Sequence, residues 1–385
     1  MRGAEAVLAC LREQGVDTLF GYPGGMILPL YDALYAQNDI RQILVTHEQN
    51  AAHAADGYAR ATGHVGVCIA TSGPGATNLV TGLATAYMDS IPMVAITGQV
   101  DIAMLGRDAF QETDILDVTM PVTKHNYKIK NAADLVPTIR QAFELARTGR
   151  PGPVLIDVPR NLFFEEVAYV REEPNVRTPG KPDADFVICA AEAAAEIVRA
   201  ERPLVIVGGG VISAGTSAEV MAFIEKYHLP VVHTLMGMGA LPSTHPQMLG
   251  FAGMHGEKAA NYAIGAADLV IAFGSRFADR QTGNLSEYTA NRKFIHIDID
   301  PAEIDKNVEN SLGLAGDMRT ILNLLMRQTP KSDLAAWWTQ IRTWQEAYDY
   351  DYHVGRLTVP WALNQVAQNT TGKAYAYATD VGQHQ

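Results

Sequence analysis

Apolar residues occur along the chain in short runs that alternate with longer segments of helical composition. From the N-terminus to about residue 165, we predict helices at 5–14, 30–36, 48–62, from 77 onward, and at 131–148. The apolar runs between them predict strands at 18–21, 43–46, 65–71, 93–97 and 154–158. Regular alternation of this kind indicates an α/β fold: an open parallel sheet with helices on both faces.

The stretch from 43 to 78 is the most informative part of this pattern. Two nearly continuous apolar runs flank an alanine-rich helix, as is typical of a strand–helix–strand unit in a parallel sheet buried on both faces. Gly63 follows the helix at the position expected of a C-terminal cap. Ligands of such sheets bind at the carboxyl ends of the strands. Glu48 and the turn Ser72–Ala76 both fall at those ends.

The pattern repeats after an interruption. Prolines and charged residues replace the apolar runs between 167 and 185, which predicts a linker at 168–185 between a first domain of residues 1–167 and a second of residues 186–330. In the second, Rossmann-like domain we predict helices at 190–200, 218–227 and 318–326, and strands at 204–207, 230–234, 269–273 and 294–299. Residues 331–385 predict an aromatic-rich helix, a helix at 360–368 and a strand at 374–379, which we interpret as connecting helices and the start of a third α/β domain.

Composition and charge exclude several classes of protein. The chain has 385 residues, with 30 Lys and Arg against 42 Asp and Glu, and its net charge of −12 is not that of a nucleic-acid-binding protein. No apolar run approaches the roughly 20 residues of a membrane span. Three scattered cysteines form neither a disulfide framework nor a metal cluster, so we expect a cytoplasmic protein.

Taken alone, the residues leave two interpretations open at each candidate site. Glu48 is either a solvated glutamate favoured by the helix dipole or a carboxyl in an apolar crevice that exchanges protons with a ligand. Ser72–Ala76 is either a type II turn, with proline second and glycine third, or a backbone cradle for a flat ring or an anion. The turn lacks the lysine of a phosphate-binding loop, which argues against a nucleotide phosphate clamp.

Other motifs carry less information. Gly208-Gly209-Gly210 matches part of a dinucleotide fingerprint, but a tight turn explains it equally well. His47, His53 and His64 lack the spacing of a zinc site, and there is no nucleophile elbow of a serine hydrolase. The residues alone therefore indicate a multidomain α/β protein with a nucleotide-like cofactor, and they do not identify a reaction.

Many short motifs, in order along essentially the whole chain, carry a resemblance to a known family. They are Gly21–Gly25, His47–Gln49, Gly57–Arg60, Thr71–Asn78, Gly98–Val100, Asp108–Glu112, Gly149–Val154, Gly253–Gly256, Gly274–Phe277 and Gly382–Gln385. In these motifs the chain closely resembles the large catalytic subunit of acetolactate synthase (acetohydroxyacid synthase), a thiamine-diphosphate enzyme of branched-chain amino-acid synthesis. The resemblance implies a pyrimidine-binding first domain, an FAD-binding central domain and a diphosphate-binding third domain.

The resemblance also implies residue roles. Glu48 would hydrogen-bond the aminopyrimidine ring of thiamine diphosphate and relay a proton, and Gln111 would approach the reacting centre. The other positions implied in the thiamine diphosphate site are Tyr22, Thr71, Pro74 and Asn78 at the pyrimidine, and Gly382, Gln383 and His384 at the diphosphate. Phe110 and Arg160 would line the substrate pocket. The implied reaction is decarboxylation of pyruvate and condensation with pyruvate or 2-oxobutanoate.

A second set of positions matches the FAD site of the family. These are Arg150, Gly208, Gly209, Thr234, Leu235, Met254, His255, Gly274, Arg276, Arg280, Asp298 and Asp317. Arginine cations among them suit the FAD diphosphate.

Three departures from the family pattern stand out. Arg160 replaces a family lysine at the substrate entrance, and Arg276-Phe277-Ala278-Asp279-Arg280 is one acid short of the family segment. No metal-binding residues are predicted within the chain, since the family segment that binds Mg²⁺ would lie beyond Gln385. We therefore interpret the chain as C-terminally incomplete and expect it alone to be inactive.

The family resemblance further implies a homodimer or tetramer and a small regulatory subunit. The alternatives are glyoxylate carboligase, which has Val at the position of Glu48; sulfoacetaldehyde acetyltransferase; the flavin-free catabolic acetolactate synthase; and a non-catalytic FAD-binding fragment.

Overall fold

A computed structural model describes residues 1–175, 180, 182–309, 311–329, 333–348, 357–373 and 377–379. It divides into two compact units, residues 1–180 and residues 181–385. The division falls within the segment 168–185 that the composition marks as a linker.

A parallel six-stranded sheet organises the described part of the first unit. Its strands are β1 (Thr18–Gly21), β2 (Arg41–Leu44), β3 (Gly66–Ala70), β4 (Met93–Gln99), β5 (His125–Lys128) and β6 (Pro153–Pro159). Their order across the sheet is β2-β1-β3-β4-β6-β5. The helices that cover it are α1 (Gly3–Glu13), α2 (Leu28–Tyr35), α3 (Glu48–Thr62), α4 (Pro74–Thr77), α5 (Val80–Met88), α6 (Ile115–Thr119) and α7 (Leu135–Arg147). The predicted α/β class is confirmed.

Helix α3 forms because its small residues allow close packing on the sheet. Ala51, Ala52 and Ala55 are fully buried in a cluster with residues of β3 and β4. The helix ends at Gly63, whose left-handed backbone (φ 75°) forms the cap that the sequence predicts. This packing places the first residue of α3, Glu48, at the carboxyl edge of the sheet.

The second unit repeats the architecture. Its described strands are β7 (Pro203–Val207), β8 (Val231–His233), β9 (Met248–Phe251), β10 (Leu269–Phe273), β11 (Lys293–Asp298) and β12 (Leu312–Ala315), in the order β12-β11-β10-β7-β8-β9, all parallel. Its helices are α8 (Ala184–Arg199), α9 (Gly209–Ser213), α10 (Ser217–Tyr227), α11 (Lys258–Ala266), α12 (Asp279–Thr282), α13 (Leu285–Thr289), α14 (Met318–Leu325), α15 (Ala335–Ala347) and α16 (Val359–Thr370).

Helix α15 packs on the core of this second unit. Trp337 and Trp338 are 2 % and 6 % exposed, and they donate their indole N–H groups to Pro203 O (3.0 Å) and His228 O (2.9 Å). A buried tryptophan N–H needs such a partner. The aromatic stripe therefore serves packing.

Several strands differ from the prediction, and they share a position. Strands β5, β9 and β12 were not predicted, and β2 is shifted and half exposed rather than buried on both faces. All four lie at an edge of a sheet, where only one side is paired and apolar periodicity is weak. Helix α11 was also not predicted. The strand predicted at 374–379 lies partly outside the described residues, and 377–379 has no strand.

The three cysteines of the chain differ in exposure. Cys10 and Cys68 are buried in the first unit, whereas Cys189 on α8 is exposed. No helix among the described residues combines the length and the apolar character needed to cross a bilayer.

Candidate functional site

Glu48 lies in a largely closed crevice at the start of α3. Its side chain is 8 % exposed, and its Oε2 accepts a hydrogen bond from Asn78 Nδ2 at 2.9 Å. The N-cap before it is formed by His47, whose Nδ1 accepts from the Gln49 amide at 3.1 Å. The solvated interpretation of Glu48 is therefore wrong. The structure brings Glu48 and Asn78, two predicted cofactor residues, into direct contact.

The Gly-Pro-Gly turn leads directly into α4. Its left-handed residue is Gly73 (φ 59°, ψ −120°), with Pro74 as the first helical residue. These angles are those of the first central residue of a type II′ turn, so the predicted type II turn, with its positive φ on Gly75, is wrong. The reason is that Pro74 begins a helix, where its fixed negative φ suits the first position.

Gly75 leaves space above Glu48. A Cβ on Gly75 would lie 3.2 Å from Glu48 Oε1 and 2.8 Å from Thr71 Cγ2. The absence of that atom opens the approach to the carboxylate. Thr71, also buried, accepts a hydrogen bond from the Met26 amide at 3.2 Å, which ties the loop containing the half-exposed Tyr22 to the end of β3.

Tyr31 on α2 lies beneath the same region. Burial raises the pKa of the Tyr31 hydroxyl, the hydrogen bond with Gln42 opposes the rise, and the negative charge of Glu48 adds to it. Tyr31 therefore lies buried close to the carboxylate of Glu48.

The loop of residues 101–114 contains Phe110 and Gln111. Phe110 is 81 % exposed, and Gln111 has a left-handed backbone (φ 59°), as does Asp108 (φ 54°). Gln111 packs against the turn, since a Cβ on Gly73 would lie 2.7 Å from Gln111 O. Positive φ is unfavourable for residues other than glycine, so surrounding contacts must hold this loop.

Side-chain hydrogen bonds hold the 101–114 loop at both ends and within. Asn161 Oδ1 accepts from the Ile102 amide (3.0 Å), and Gln99 Nε2 donates to Thr113 O (2.9 Å). Inside the loop, Glu112 accepts from the amides of Gly106 (2.5 Å) and Ala109 (3.1 Å). These bonds stabilise a segment that carries two predicted site residues.

Behind Gln99 lies a buried carboxylate that the sequence analysis missed. Asp157 on β6 is 0 % exposed and accepts from Thr97 Oγ1 (2.7 Å) and Gln99 Nε2 (3.0 Å). Burial raises the pKa of Asp157 from 3.8 to about 6; the two hydrogen bonds and Lys128 oppose the rise, and Asp114 adds to it. The available signal was an acid inside an otherwise apolar central strand, which requires buried partners.

The two predicted arginines of the first unit lie in different surroundings. Arg160 follows β6 and its guanidinium stacks 5.4 Å from the ring centroid of Phe164. Arg150 donates from Nε to Ser90 Oγ at 2.8 Å. Their roles toward substrate and FAD stay predictions.

In the second unit the predicted FAD residues collect at the carboxyl ends of the strands. Gly208 and Gly209 follow β7, Thr234 and Leu235 follow β8, Met254 and His255 follow β9, Gly274, Arg276 and Arg280 follow β10, Asp298 ends β11, and Asp317 follows β12. This is the edge at which open α/β sheets bind ligands.

The chemistry of that edge fits a dinucleotide with an apolar ring system. Leu235 and Met254 are 51 % and 62 % exposed, and the exposed Arg280 lies 3.6 Å from a carboxylate oxygen of Asp279. Asp317 Oδ2 accepts from Thr320 N at 2.8 Å and caps α14, so part of its capacity is structural.

Gly382, Gln383 and His384 lie outside the described residues. Within the described ranges, no group of three or more His, Cys, Asp or Glu side chains is arranged to hold a metal ion.

Comparisons with known proteins agree with this architecture. Residues 1–118 match the family model "Thiamine pyrophosphate enzyme, N-terminal TPP binding domain", and residues 190–325 match "Thiamine pyrophosphate enzyme, central domain". The chain is 46 % identical to the acetolactate synthase large subunit of Parasynechococcus marenigrum, over 100 % of this chain and 64 % of the relative. It is 48 % identical to the probable acetolactate synthase large subunit of Methanocaldococcus jannaschii, over 94 % of this chain and 60 % of the relative. For the acetolactate synthase large subunit of Haemophilus influenzae the identity is 44 %, over 100 % of this chain and 69 % of the relative. The chain thus spans about two thirds of the length of these relatives.

Proposed function

Because the chain belongs to the acetolactate synthase large-subunit family of thiamine-diphosphate enzymes, we propose that the complete protein decarboxylates pyruvate. The two-carbon unit would then join a second molecule of pyruvate or 2-oxobutanoate, giving 2-acetolactate or 2-aceto-2-hydroxybutanoate. The observation that carries this proposal is the buried carboxylate of Glu48, held by Asn78 below the Gly-Pro-Gly turn.

The residues around Glu48 suit the pyrimidine end of thiamine diphosphate. Gly75 places no side chain against the carboxylate, which would let a flat ring approach it. Asn78 orients Oε2, so we assign Oε1, the oxygen facing Gly75, to a hydrogen bond with the ring. When bound, the cofactor supplies the electron sink for breaking the carbon–carbon bond.

The protein's part in this chemistry is to hold and move a proton. Glu48 would keep a proton shared with the pyrimidine ring nitrogen, and its burial would keep water from competing for that proton. Gln111 would orient a substrate from the 101–114 loop, with Phe110 and Arg160 lining the entrance. Arg160 would supply a cation for the substrate carboxylate, and its contact with the Phe164 ring would help to hold the guanidinium in place.

We further propose FAD at the strand ends of the second unit and Mg²⁺ as an additional cofactor of the complete enzyme. The relatives' names refer to a large subunit, which supports a small regulatory subunit as partner of a cytoplasmic homodimer or tetramer. Flavin absorbance of the purified complete protein separates this proposal from a flavin-free catabolic enzyme.

The substitution Glu48→Gln in the complete protein tests the mechanism. An amide of the same size still accepts from Asn78 but cannot carry the proton, so kcat for acetolactate formation should fall by about 10²- to 10⁴-fold. Thiamine diphosphate binding, measured by calorimetry, should stay within about tenfold because the pocket keeps its shape. The matched control is Glu192→Gln on the exposed face of α8, which should leave kcat unchanged. Near-normal turnover of Glu48→Gln would remove this residue from the mechanism.

A further inference from the structure

The buried Asp157 is connected by hydrogen bonds to the loop that carries Phe110 and Gln111. Parallel pairing of β4 with β6 sets Thr97 beside Asp157. Asp157 Oδ1 accepts from the Thr97 hydroxyl (2.7 Å), and Oδ2 accepts from Gln99 Nε2 (3.0 Å). The carboxylate thereby fixes which end of the Gln99 amide faces it.

The orientation of Gln99 decides whether the loop is held. With Nε2 toward Asp157, the same nitrogen also donates to Thr113 O (2.9 Å), while Oε1 accepts from the Val100 amide (2.9 Å). Both N–H groups and the oxygen of the amide are then used. A reversed amide would place its oxygen against the oxygens of Asp157 and Thr113, so the carboxylate selects the orientation that anchors Thr113.

The anchored segment needs this support. Thr113 lies two residues after Gln111, whose left-handed backbone (φ 59°) packs on Gly73. Near the other end of the loop, the Ile102 amide is held by Asn161. Lys128 and Asp114 are the charged groups that act on Asp157, and they form an ion pair of their own at 3.0 Å.

We propose that Asp157 is a positioning residue that holds the 101–114 loop, and with it Gln111 and Phe110, through the amide of Gln99. Its consequence for turnover rests on the proposed function, but its consequence for the loop does not. No contact between Asp157 and a substrate or cofactor is required.

Comparison of the single variant Asp157→Asn with the double variant Asp157→Asn/Gln99→Glu distinguishes anchoring of the loop from a general effect on protein stability. In Asp157→Asn, one acceptor oxygen remains for two donors, Thr97 Oγ1 and Gln99 Nε2, which weakens the preference that orients the Gln99 amide, so amide exchange in 101–113 should speed up about tenfold. The double variant restores a bond between the strands, from the amide introduced on β6 to the carboxylate introduced on β4, and should regain much of the thermal stability. A carboxylate cannot donate to Thr113 O, so loop exchange should remain fast.

Hydrogen exchange on the 385-residue chain measures how well the loop is held and needs no assay of turnover. In the complete protein, both variants should lose about 10- to 100-fold in kcat, because misplacement of a reacting group by about 1 Å has such effects. Thr97→Val removes the other partner of Asp157 and should lower stability without changing loop exchange.

Two results would overturn the proposal: unchanged exchange of 101–113 in Asp157→Asn, or recovery of slow exchange together with stability in the double variant. If Asp157→Asn fails to fold, Gln99→Glu alone decides the question by the same exchange measurement, with slow exchange counting against the proposal. Altered loop exchange with no change in turnover would instead count against the catalytic role of the loop.

Discussion

At the scale of single residues, two buried acids of the first unit have different surroundings. Glu48 lies at a helix start with one side chain donating to it, and Gly75 leaves its other oxygen open to a ligand. Asp157 lies inside a sheet, with both oxygens accepting from neighbouring side chains of β4. The first arrangement suits exchange of a proton with a ligand, and the second suits holding a shape.

The raised pKa of Asp157 has a consequence for stability. Because burial raises the pKa in the folded chain from 3.8 to about 6, the folded state binds a proton that the unfolded state has released between these values. The stabilisation is complete below pH 3.8 and is lost as pH rises through about 6. The difference is at most about 3 kcal/mol.

Asp157→Asn should remove this dependence. We expect the free energy of unfolding of the variant, relative to the unmodified chain, to rise between about pH 4.5 and about pH 7. Chemical denaturation followed by far-UV circular dichroism at both values measures it. A constant difference between the two proteins would contradict a raised pKa at this position. The matched control Asp185→Asn, on the exposed first turn of α8, should show no such dependence.

At the scale of elements, the turn between β3 and α4 depends on one glycine. Gly73 has φ 59° and ψ −120°, and a Cβ there would meet Gln111 O at 2.7 Å. By contrast, Gly57 lies on the exposed side of α3, with no atom within 4 Å of a Cβ position. The two glycines differ in backbone conformation and in space.

Gly73→Ala should therefore destabilise the first unit by about 1–3 kcal/mol, from backbone strain and the contact with Gln111. Gly57→Ala should stabilise it by about 0.5–1 kcal/mol, because alanine is the better helix former. Urea denaturation monitored by circular dichroism compares the two. Equal effects would mean that the turn tolerates a side chain.

Elements in the middle of each sheet could be predicted from the sequence, and those at the edges could not. Strands β3, β7 and β10 are continuous apolar runs, and β4 begins with one, because both faces and both edges of these strands are covered. Strand β5 reads His-Asn-Tyr-Lys, and its polar side chains are tolerated because one edge of the strand is unpaired. The positive φ of Gly73 was not predicted, because the type II interpretation assigned it to Gly75 and local turn statistics do not indicate that Pro74 begins a helix.

At the scale of the whole molecule, the two units carry different spectroscopic groups. All four tryptophans of the chain, Trp337, Trp338, Trp344 and Trp361, lie beyond residue 181. Trp337 and Trp338 are tied by hydrogen bonds to the ends of other elements of the second unit. Intrinsic tryptophan fluorescence therefore follows the unfolding of the second unit.

If the second unit binds FAD, FAD at about a hundred times its dissociation constant should stabilise that unit by about 2.7 kcal/mol. The tryptophan fluorescence transition should move to higher denaturant concentration by the corresponding amount. Arg280→Gln should reduce the shift at the same FAD concentration, since it removes a cation for the diphosphate. Arg199→Gln, on an exposed arginine of α8, serves as the control and should keep the full shift.

The site could be predicted only in part at this scale. Periodicity placed Glu48, the Gly-Pro-Gly turn and Gly208 at strand ends, because parallel sheets present their loops at one edge. It did not bring Glu48 and Asn78 together, since that contact depends on the angle between α3 and the turn. The network of Asp157 and Gln99 was invisible for a similar reason: it depends on the register between β4 and β6.

The two buried cysteines of the first unit allow its opening to be followed by thiol labelling. Burial raises the pKa of the Cys68 thiol to about 12, and that of Cys10, where the neighbouring charge of Glu13 adds to the effect, to about 12 as well. A maleimide reagent therefore modifies the exposed Cys189 before the two buried cysteines. Cys10 on α1 and Cys68 on β3 react only when the structure around them opens, so their labelling rate reports local opening of the first unit.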